Sequence, residues 1–160
     1  MQVIEQLKEM DAARFLHIYS ALENQGFGPL DGEVAKAMRF RPHAIRKLPM
    51  DKRAQKARSI LEGRSQAELA YELFGGYLMK VCKSLVTDFL DGTGVAHEDG
   101  MIENLQDGGP DPAKVAETIA ALDKDHDQAD VTLYLSLCAE QWPQVDEIQA
   151  AWQARLNPTE

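Results

Sequence analysis

Apolar residues recur three and four positions apart along most of the chain, which is the spacing of an amphipathic helix. The first such series covers the N-terminal two dozen residues and consists of Val3, Leu7, Met10, Phe15, Ile18 and Leu22. Strict alternation of apolar and polar residues, the pattern of a half-buried strand, is nearly absent. The sequence therefore predicts an all-α fold.

The longest apolar segment of helical period spans residues 66–90. Ser65 and Glu68 at its start match a capping box, in which each side chain accepts a backbone N–H of the other residue. We expect this segment to form the central helix. Gly75 and Gly76 inside it cost about 1 kcal/mol each relative to alanine, so we expect them at a close helix crossing or at a kink beside a ligand.

Capping residues and glycines indicate where other helices begin and end. Asp111-Pro112 is typical of a helix start, and Asp130 is assigned as the cap of the next helix. Gly94 follows an apolar helix and supplies a stop signal. With these boundaries the sequence predicts a compact globule of six or seven helices packed around residues 66–90.

Length and composition favour one folded domain. The chain has 160 residues, of which 44% are hydrophobic and 27% charged, so a single helical domain over residues 1–160 is expected. No apolar run has the length of a signal peptide or a membrane span, which predicts a cytoplasmic protein without membrane association. Cys82 and Cys138 are then expected to be reduced thiols.

Charge is divided unevenly along the chain, whose net charge is −9. Residues 36–64 carry ten Lys and Arg against two acidic residues, a net charge of +8. Residues 88–130 carry twelve carboxylates against two lysines, a net charge of −10. Two interpretations are open: the opposite charges pair within one fold, where an exposed pair contributes about 0 to 1 kcal/mol, or the basic segment faces an acidic partner.

On the second interpretation, six cations form a basic face that docks an acidic partner by complementary charge. The predicted partner-binding residues are Arg46, Lys47, Lys52, Arg53, Lys56 and Arg58. The expected partner is another protein, or a second copy of this chain that makes a homo-oligomer through its residues 88–130. Docking of this kind weakens with salt, since exposed charges are screened over about 10 Å at 0.1 M ionic strength.

Residues 33–48 resemble the helix-turn-helix of bacterial DNA-binding proteins. In that motif a helix, here bearing Val34, packs on a second helix, here bearing Leu48, which lies in the major groove. The resemblance implies that the side chains offered to DNA are Pro42, His43, Arg46 and Lys47. Such motifs favour glycine at the turn, where this chain has Arg39. Nucleic acid is therefore the alternative partner, ranked behind a protein.

Metal-binding patterns in the chain are incomplete. The four histidines form no His-x-x-x-His pair, and no phosphate-binding loop or nucleophile elbow occurs. Asp123, Asp125 and Asp127 resemble the start of a calcium loop. Its sixth and twelfth positions hold Gln128 and Tyr134 in place of the required Gly and Glu.

His97 with its neighbours Glu98 and Asp99 is the remaining candidate for chemistry, in an irregular loop of the kind that often carries function. These residues suggest a metal-dependent enzyme as a further alternative. The sequence nevertheless predicts no cofactor, no metal and no catalytic residue. It favours a binding protein without catalytic activity.

Overall fold

The computed structural model describes residues 2–25, 36, 44, 47–63, 67–103 and 108–157. Within these residues the chain forms eight helices and no strand, which confirms the all-α prediction. The helices are α1 (Gln2–Glu9), α2 (Ala12–Asn24), α3 (Met50–Leu61), α4 (Ala67–Val81), α5 (Lys83–Thr93), α6 (Pro112–Asp125), α7 (Gln128–Gln141) and α8 (Asp146–Leu156). No described helix is both long enough and apolar enough to cross a membrane.

Contacts between residues divide the chain into two compact units, Val3–Lys80 and Val81–Glu160. The first unit contains α2, α3, α4 and α1 from Val3 onward, and the second contains α5 to α8. The assignment of residues 1–160 to a single domain stays a prediction from chain length. The boundary between the units falls inside residues 66–90, for which the sequence predicts one helix.

Residues 66–90 contain two helices and not the single central helix that the sequence predicts. The chain leaves the helical backbone at Cys82, with φ −117° and ψ 34°, between α4 and α5. Gly75 and Gly76 lie inside α4, so the glycine pair is not where the helix stops. Apolar residues continue at helical spacing on both sides of Cys82, and periodicity alone therefore gives no sign of the break.

In the first unit, α2 packs against α3. The buried residues of α2 are Phe15, Ile18, Tyr19 and Leu22. The buried residues of α3 are Arg53, Ala54, Ala57 and Leu61. The rest of the circumference of α3 is half-buried or exposed, so this helix lies at the surface, as its narrow apolar stripe predicts.

In the second unit, α6 packs against α5, α7 and α8, and α8 also packs against α7. Phe89 of α5 meets Tyr134 edge-on with 5.2 Å between ring centroids, and stacks with Trp142 at 6.5 Å. Residues 133–139 of α7 are all buried. A helix buried on every side is surrounded by other elements, so within this unit α7 has the central position that the sequence assigns to residues 66–90.

Two of the predicted helix ends match the structure, and a third is displaced. Asp111 accepts a backbone hydrogen bond of 3.1 Å at the predicted start of α6, and Gly94 ends α5 with a left-handed φ of 75°. The cap of α7 is Asp127 instead of the predicted Asp130, since its carboxylate accepts two backbone N–H groups at 3.0 and 3.1 Å. Aspartate is a good capping residue at either position. Because Asp127 and Asp130 lie about one turn apart, the sequence alone does not show which of them begins the helix.

Candidate functional site

Arg53, a residue of the predicted basic face, is part of the packing between α2 and α3. It is only 7% exposed, and its Nη1 donates to the two carboxylate oxygens of Glu23 at 2.9 and 2.7 Å. The Glu23 side chain is itself largely shielded from solvent. Removing either charge from such a pair leaves the other without compensation. Arg53 therefore holds the fold together and is not available to a partner.

Arg58, also assigned to the basic face, satisfies the end of a helix. Its Nη2 donates to the backbone carbonyls of Leu7, at 2.8 Å, and of Met10. The last carbonyls of a helix have no partner within the helix, so this guanidinium closes the C-terminal end of α1. The Nε of Arg58 donates to Oε1 of Glu62 at 3.1 Å. The guanidinium carbon Cζ lies 5.9 Å from the ring centre of Phe15, within cation–π range.

Lys47, Lys52 and Lys56 are the exposed members of the predicted basic face. None of them forms an ion pair with a described residue. Lys52 and Lys56 stand one helical turn apart on α3, where like charges destabilise a helix by about 0.2 to 0.5 kcal/mol. Arg46 lies outside the described residues. Among the described members of the basic face, the exposed ones are thus lysines.

His97, the candidate for metal or acid–base chemistry, is engaged at both ring nitrogens. Its Nδ1 accepts a hydrogen bond from the Gly100 N–H at 3.0 Å, and its Nε2 lies 2.6 Å from Oδ1 of Asp91. A ring nitrogen that accepts a hydrogen bond carries no proton, so the proton is on Nε2, which donates to Asp91. Neither nitrogen is left to take a proton from a substrate or to bind a metal.

The acids next to His97 do not converge on its ring. Glu98 pairs through its backbone with Met101 in an isolated bridge, and the Asp99 carboxylate forms an ion pair with Lys83. Across the described ranges no group of three His, Cys, Asp or Glu side chains is placed to hold a metal ion. His97 and its neighbours therefore shape the loop that follows α5.

The acids that resemble a calcium loop have structural partners. Asp123 binds the guanidinium of Arg155 through hydrogen bonds of 2.9 and 2.7 Å, which join α6 to α8. Asp127 caps α7, and His126 lies 2.8 Å from Oδ2 of Asp88. These contacts fix the turn between α6 and α7.

A cleft between α5 and α6 is the site that sequence reasoning missed. It encloses about 560 Å³. Its charged lining residues are Asp88, Asp91, Lys114, Glu117 and Asp125. One signal is visible in the sequence, because Glu117 and Asp125 are two helical turns apart and share a face of α6. Which carboxylates of α5 lie opposite that face depends on tertiary packing.

Neither cysteine is part of a disulfide. Burial in the second unit raises the pKa of the Cys138 thiol far above its ordinary value of 9.0. A nucleophilic cysteine needs the opposite shift, toward thiolate at neutral pH. Cys138 is therefore a packing residue. Cys82 is half-buried at the break between α4 and α5.

Most of the helix-turn-helix resemblance at residues 33–48 lies outside the described residues, which there include only positions 36, 44, 47 and 48. The implied groove contacts of Pro42 and His43 lie outside them too, so DNA binding stays a prediction. Comparison with protein families, with curated proteins and with solved structures finds no match for this chain.

Proposed function

We propose that this chain is a helical binding protein without catalytic activity, and that the exposed lysines of α3 dock an acidic protein partner. The observation that carries the proposal is that the described cations of the basic face are either bound within the fold or exposed. Arg53 and Arg58 are engaged inside the first unit, whereas Lys52 and Lys56 are exposed and have no acidic partner among the described residues. The proposal places the protein in the cytoplasm, where reduced thiols persist.

The attachment of α3 supports a docking role. Arg53 ties α3 to α2, and Arg58 ties it to the end of α1. A preorganised surface loses less conformational freedom on binding than a mobile one. Lys52 and Lys56 thus stand on a fixed helix, and their like charges attract an oppositely charged partner and speed the encounter.

The state of the candidate catalytic groups supports binding over catalysis. Both nitrogens of His97 are occupied by hydrogen bonds. The raised pKa of Cys138 keeps its thiol protonated at neutral pH. General bases and nucleophiles need a group that accepts a proton or attacks near pH 7, and these two side chains do not offer one.

A labelled peptide rich in Glu and Asp is the direct probe of the basic face, with fluorescence anisotropy as the readout. We expect it to bind the wild-type protein at low salt. In Lys52→Glu/Lys56→Glu the affinity falls by at least about tenfold, because attraction is replaced by repulsion. The matched control, Lys8→Glu/Lys124→Glu, changes the net charge equally at exposed positions on other helices.

An equal loss of affinity in the two double variants would show that only net charge matters, and the docking face would then be abandoned. Tighter binding of a DNA duplex than of the acidic peptide would favour the helix-turn-helix interpretation. In that case log affinity falls linearly with log salt, as counterions leave the phosphates.

A second copy of the chain is the partner to test first, because its residues 88–130 carry the excess of carboxylates. Self-docking predicts a larger mass by light scattering at about 20 mM than at about 500 mM salt, since added ions shorten the range of attraction between exposed charges. An unchanged monomer mass removes self-docking and makes the acidic partner a different protein.

A further inference from the structure

The cleft of the second unit lies between two helices that run in opposite directions. At one end, the Asp111 N–H donates to the carbonyl oxygen of Thr93 at 2.9 Å. At the other end, His126 lies 2.8 Å from Asp88. The end of α5 therefore meets the start of α6, and the middle of α5 meets the end of α6.

This antiparallel order sorts the carboxylates of the cleft into two groups. Asp91 precedes Gly92, which lies against Thr118, the neighbour of Glu117. Asp88 contacts His126, the neighbour of Asp125. Glu117 and Asp125 are separated by about 12 Å along α6, at a rise of about 1.5 Å per residue. Lys114 is the single cation among the lining residues. The cleft is therefore both acidic and elongated.

Histidines hold the two aspartates of α5 in place. His126 contacts Oδ2 of Asp88 at 2.8 Å, and His97 contacts Oδ1 of Asp91 at 2.6 Å. Each contact uses one carboxylate oxygen and restricts the side chain. The second carboxylate oxygen of each aspartate remains for a ligand. Because the side chain is already restricted, it loses less conformational entropy when a ligand binds.

Thr118 of α6 lies on the floor of the cleft and is only 8% exposed. Its hydroxyl makes no hydrogen bond with any described residue, and its oxygen is not among the fully enclosed unpartnered atoms. A shielded hydroxyl without a partner is unfavourable until water or a ligand supplies a hydrogen bond. The Thr118 hydroxyl is thus a polar group of the floor that is reached from the cleft.

Gly92 of α5 also lines the cleft and lies against Thr118. A Cβ atom at position 92 would stand 2.7 Å from Thr118 Cγ2 and 2.8 Å from Thr118 Oγ1. Real Cβ atoms do not approach other atoms so closely, because cores are already packed to contact distance. The glycine therefore lets the backbone of α5 approach the Thr118 side chain closely.

We propose that this cleft binds a linear alkyl polyamine, with an ammonium group at each acidic end and the methylene chain over the floor. Ammonium groups donate charge-assisted hydrogen bonds to carboxylates, and an N–H can also donate to the Thr118 oxygen. Leu122 and Ala121 line the cleft and contact the methylenes. An extended cation fits better than a metal ion, since within the described residues no three ligating side chains converge.

Isothermal titration calorimetry of the wild-type chain with spermidine tests the site. We expect saturable binding at least about tenfold tighter than that of butylamine, because the triamine engages both acidic ends at once. Mg²⁺ at matched ionic strength controls for general attraction to a negative surface. Butylamine or Mg²⁺ binding as tightly as spermidine overturns the proposal.

Neutralising the α6 acids distinguishes the cleft from the overall charge. Glu117→Gln/Asp125→Asn is expected to weaken spermidine binding by at least about tenfold. The matched control is Asp146→Asn/Glu147→Gln, which removes the same charge from exposed positions on α8 and is expected to change the affinity by less than about twofold. Equal losses in the two variants overturn the proposal.

Thr118→Val separates a ligand contact from a structural role. Valine has nearly the same shape, and the hydroxyl has no partner among the described residues to lose, so the melting temperature is expected to stay the same or to rise. Spermidine affinity is expected to fall by about threefold to tenfold. Unchanged affinity refutes the floor contact, whatever the melting temperature. An oligolysine peptide that binds about tenfold tighter than spermidine makes the cleft a protein-docking groove and overturns the polyamine assignment.

Discussion

The basic helix α3 and the acidic helices α5 and α6 both divide their charges between the fold and the surface. On α3, Arg53 and Arg58 are held by Glu23 and by the end of α1, whereas Lys52 and Lys56 are exposed. In the sequence, residues 36–64 form one basic stretch. In the folded chain the described cations of this stretch fall into two classes, those bound within the fold and those exposed at the surface.

In the acidic region, too, some charged side chains are bound within the fold and others are accessible to a ligand, but their arrangement differs from that on α3. Asp123 is bound by Arg155, whereas Glu117 and Asp125 line an open cleft. The exposed lysines of α3 stand on the outer side of a helix, but the acids of α5 and α6 face one another across a concave site. An outward face suits docking of a macromolecule, and a concave site suits enclosure of a small ligand.

Arginines bind shielded oxygens in both regions, whereas the ion pair of Lys83 with Asp99 is exposed. A planar guanidinium donates several hydrogen bonds at once in a fixed geometry, which suits pairs of carboxylate or carbonyl oxygens. Arg53, Arg58 and Arg155 all bind in this way. Lysine has a compact and strongly hydrated charge. In α3 the residue type therefore separates the bound arginines from the exposed lysines.

The largest expected effect is the loss of an engaged arginine. Arg53→Met leaves the shielded Glu23 carboxylate without its guanidinium partner, and the free energy of unfolding is expected to fall by about 3 kcal/mol. Lys52→Met, on the neighbouring exposed position, is the control and is expected to change it by less than about 0.5 kcal/mol. Urea unfolding measures both. Equal effects would abolish the distinction between the two classes of cation.

The close approach of α5 and α6 is tested by filling the floor of the cleft. Gly92→Ala places a Cβ atom 2.7 Å from Thr118 Cγ2, so stability is expected to fall by about 2 kcal/mol through overpacking. Adding Thr118→Ala removes the two nearest clashing atoms, and the double variant is expected to recover most of that loss. Thermal unfolding of the two single variants and the double variant measures this coupling. Additive losses would contradict the contact.

The Cys138 thiol is another side chain that is held inside the fold. Because burial raises the pKa of Cys138, the unfolded chain ionises first as pH rises. Cys138 therefore contributes stability below its ordinary pKa of 9.0, and this contribution is lost above it by about 1.4 kcal/mol per pH unit. Urea unfolding from pH 8 to 10 measures the slope. Cys138→Ala is the control, and a variant with the same alkaline slope as wild type would refute the assignment.

The smallest expected effect concerns the exposed lysines. Lys56→Gln removes the repulsion from Lys52 one turn away, so the free energy of unfolding is expected to rise by about 0.2 to 0.5 kcal/mol. The same variant is expected to bind the acidic peptide more weakly. A matched change at Lys124→Gln on α6 should leave peptide binding unaltered. A clear loss of stability in Lys56→Gln would place this lysine among the engaged cations.

Helix ends could be predicted where the signal is local. Asp111-Pro112 and Gly94 end or begin helices as expected, because a cap needs only its own side chain and the next turn of backbone. The break at Cys82 carries no such local signal, and Asp127 and Asp130 offer two equivalent ones. These are the places where the predicted helix boundaries needed correction.

The candidate sites could be predicted only in part. Lys52 and Lys56 lie opposite the apolar stripe of α3, and helical spacing alone indicates that they are exposed. The spacing cannot show that Arg53 reaches Glu23 or that Arg58 reaches Leu7, since those partners are 30 and 51 residues away. Helical spacing places Glu117 and Asp125 on one face of α6, but the opposite wall of the cleft needed tertiary structure, because it belongs to another helix.

The sequence by itself determined that the chain is helical, where helices with an unambiguous cap or stop signal begin or end, and that its charge is separated into a basic and an acidic stretch. These properties depend on neighbours within about one helical turn. Tertiary structure alone decided which arginines close the fold, which lysines remain exposed, and which carboxylates line one cleft. Those outcomes follow from contacts between residues far apart in the chain, and for a charged side chain such contacts decide whether it is part of the fold or remains for a ligand.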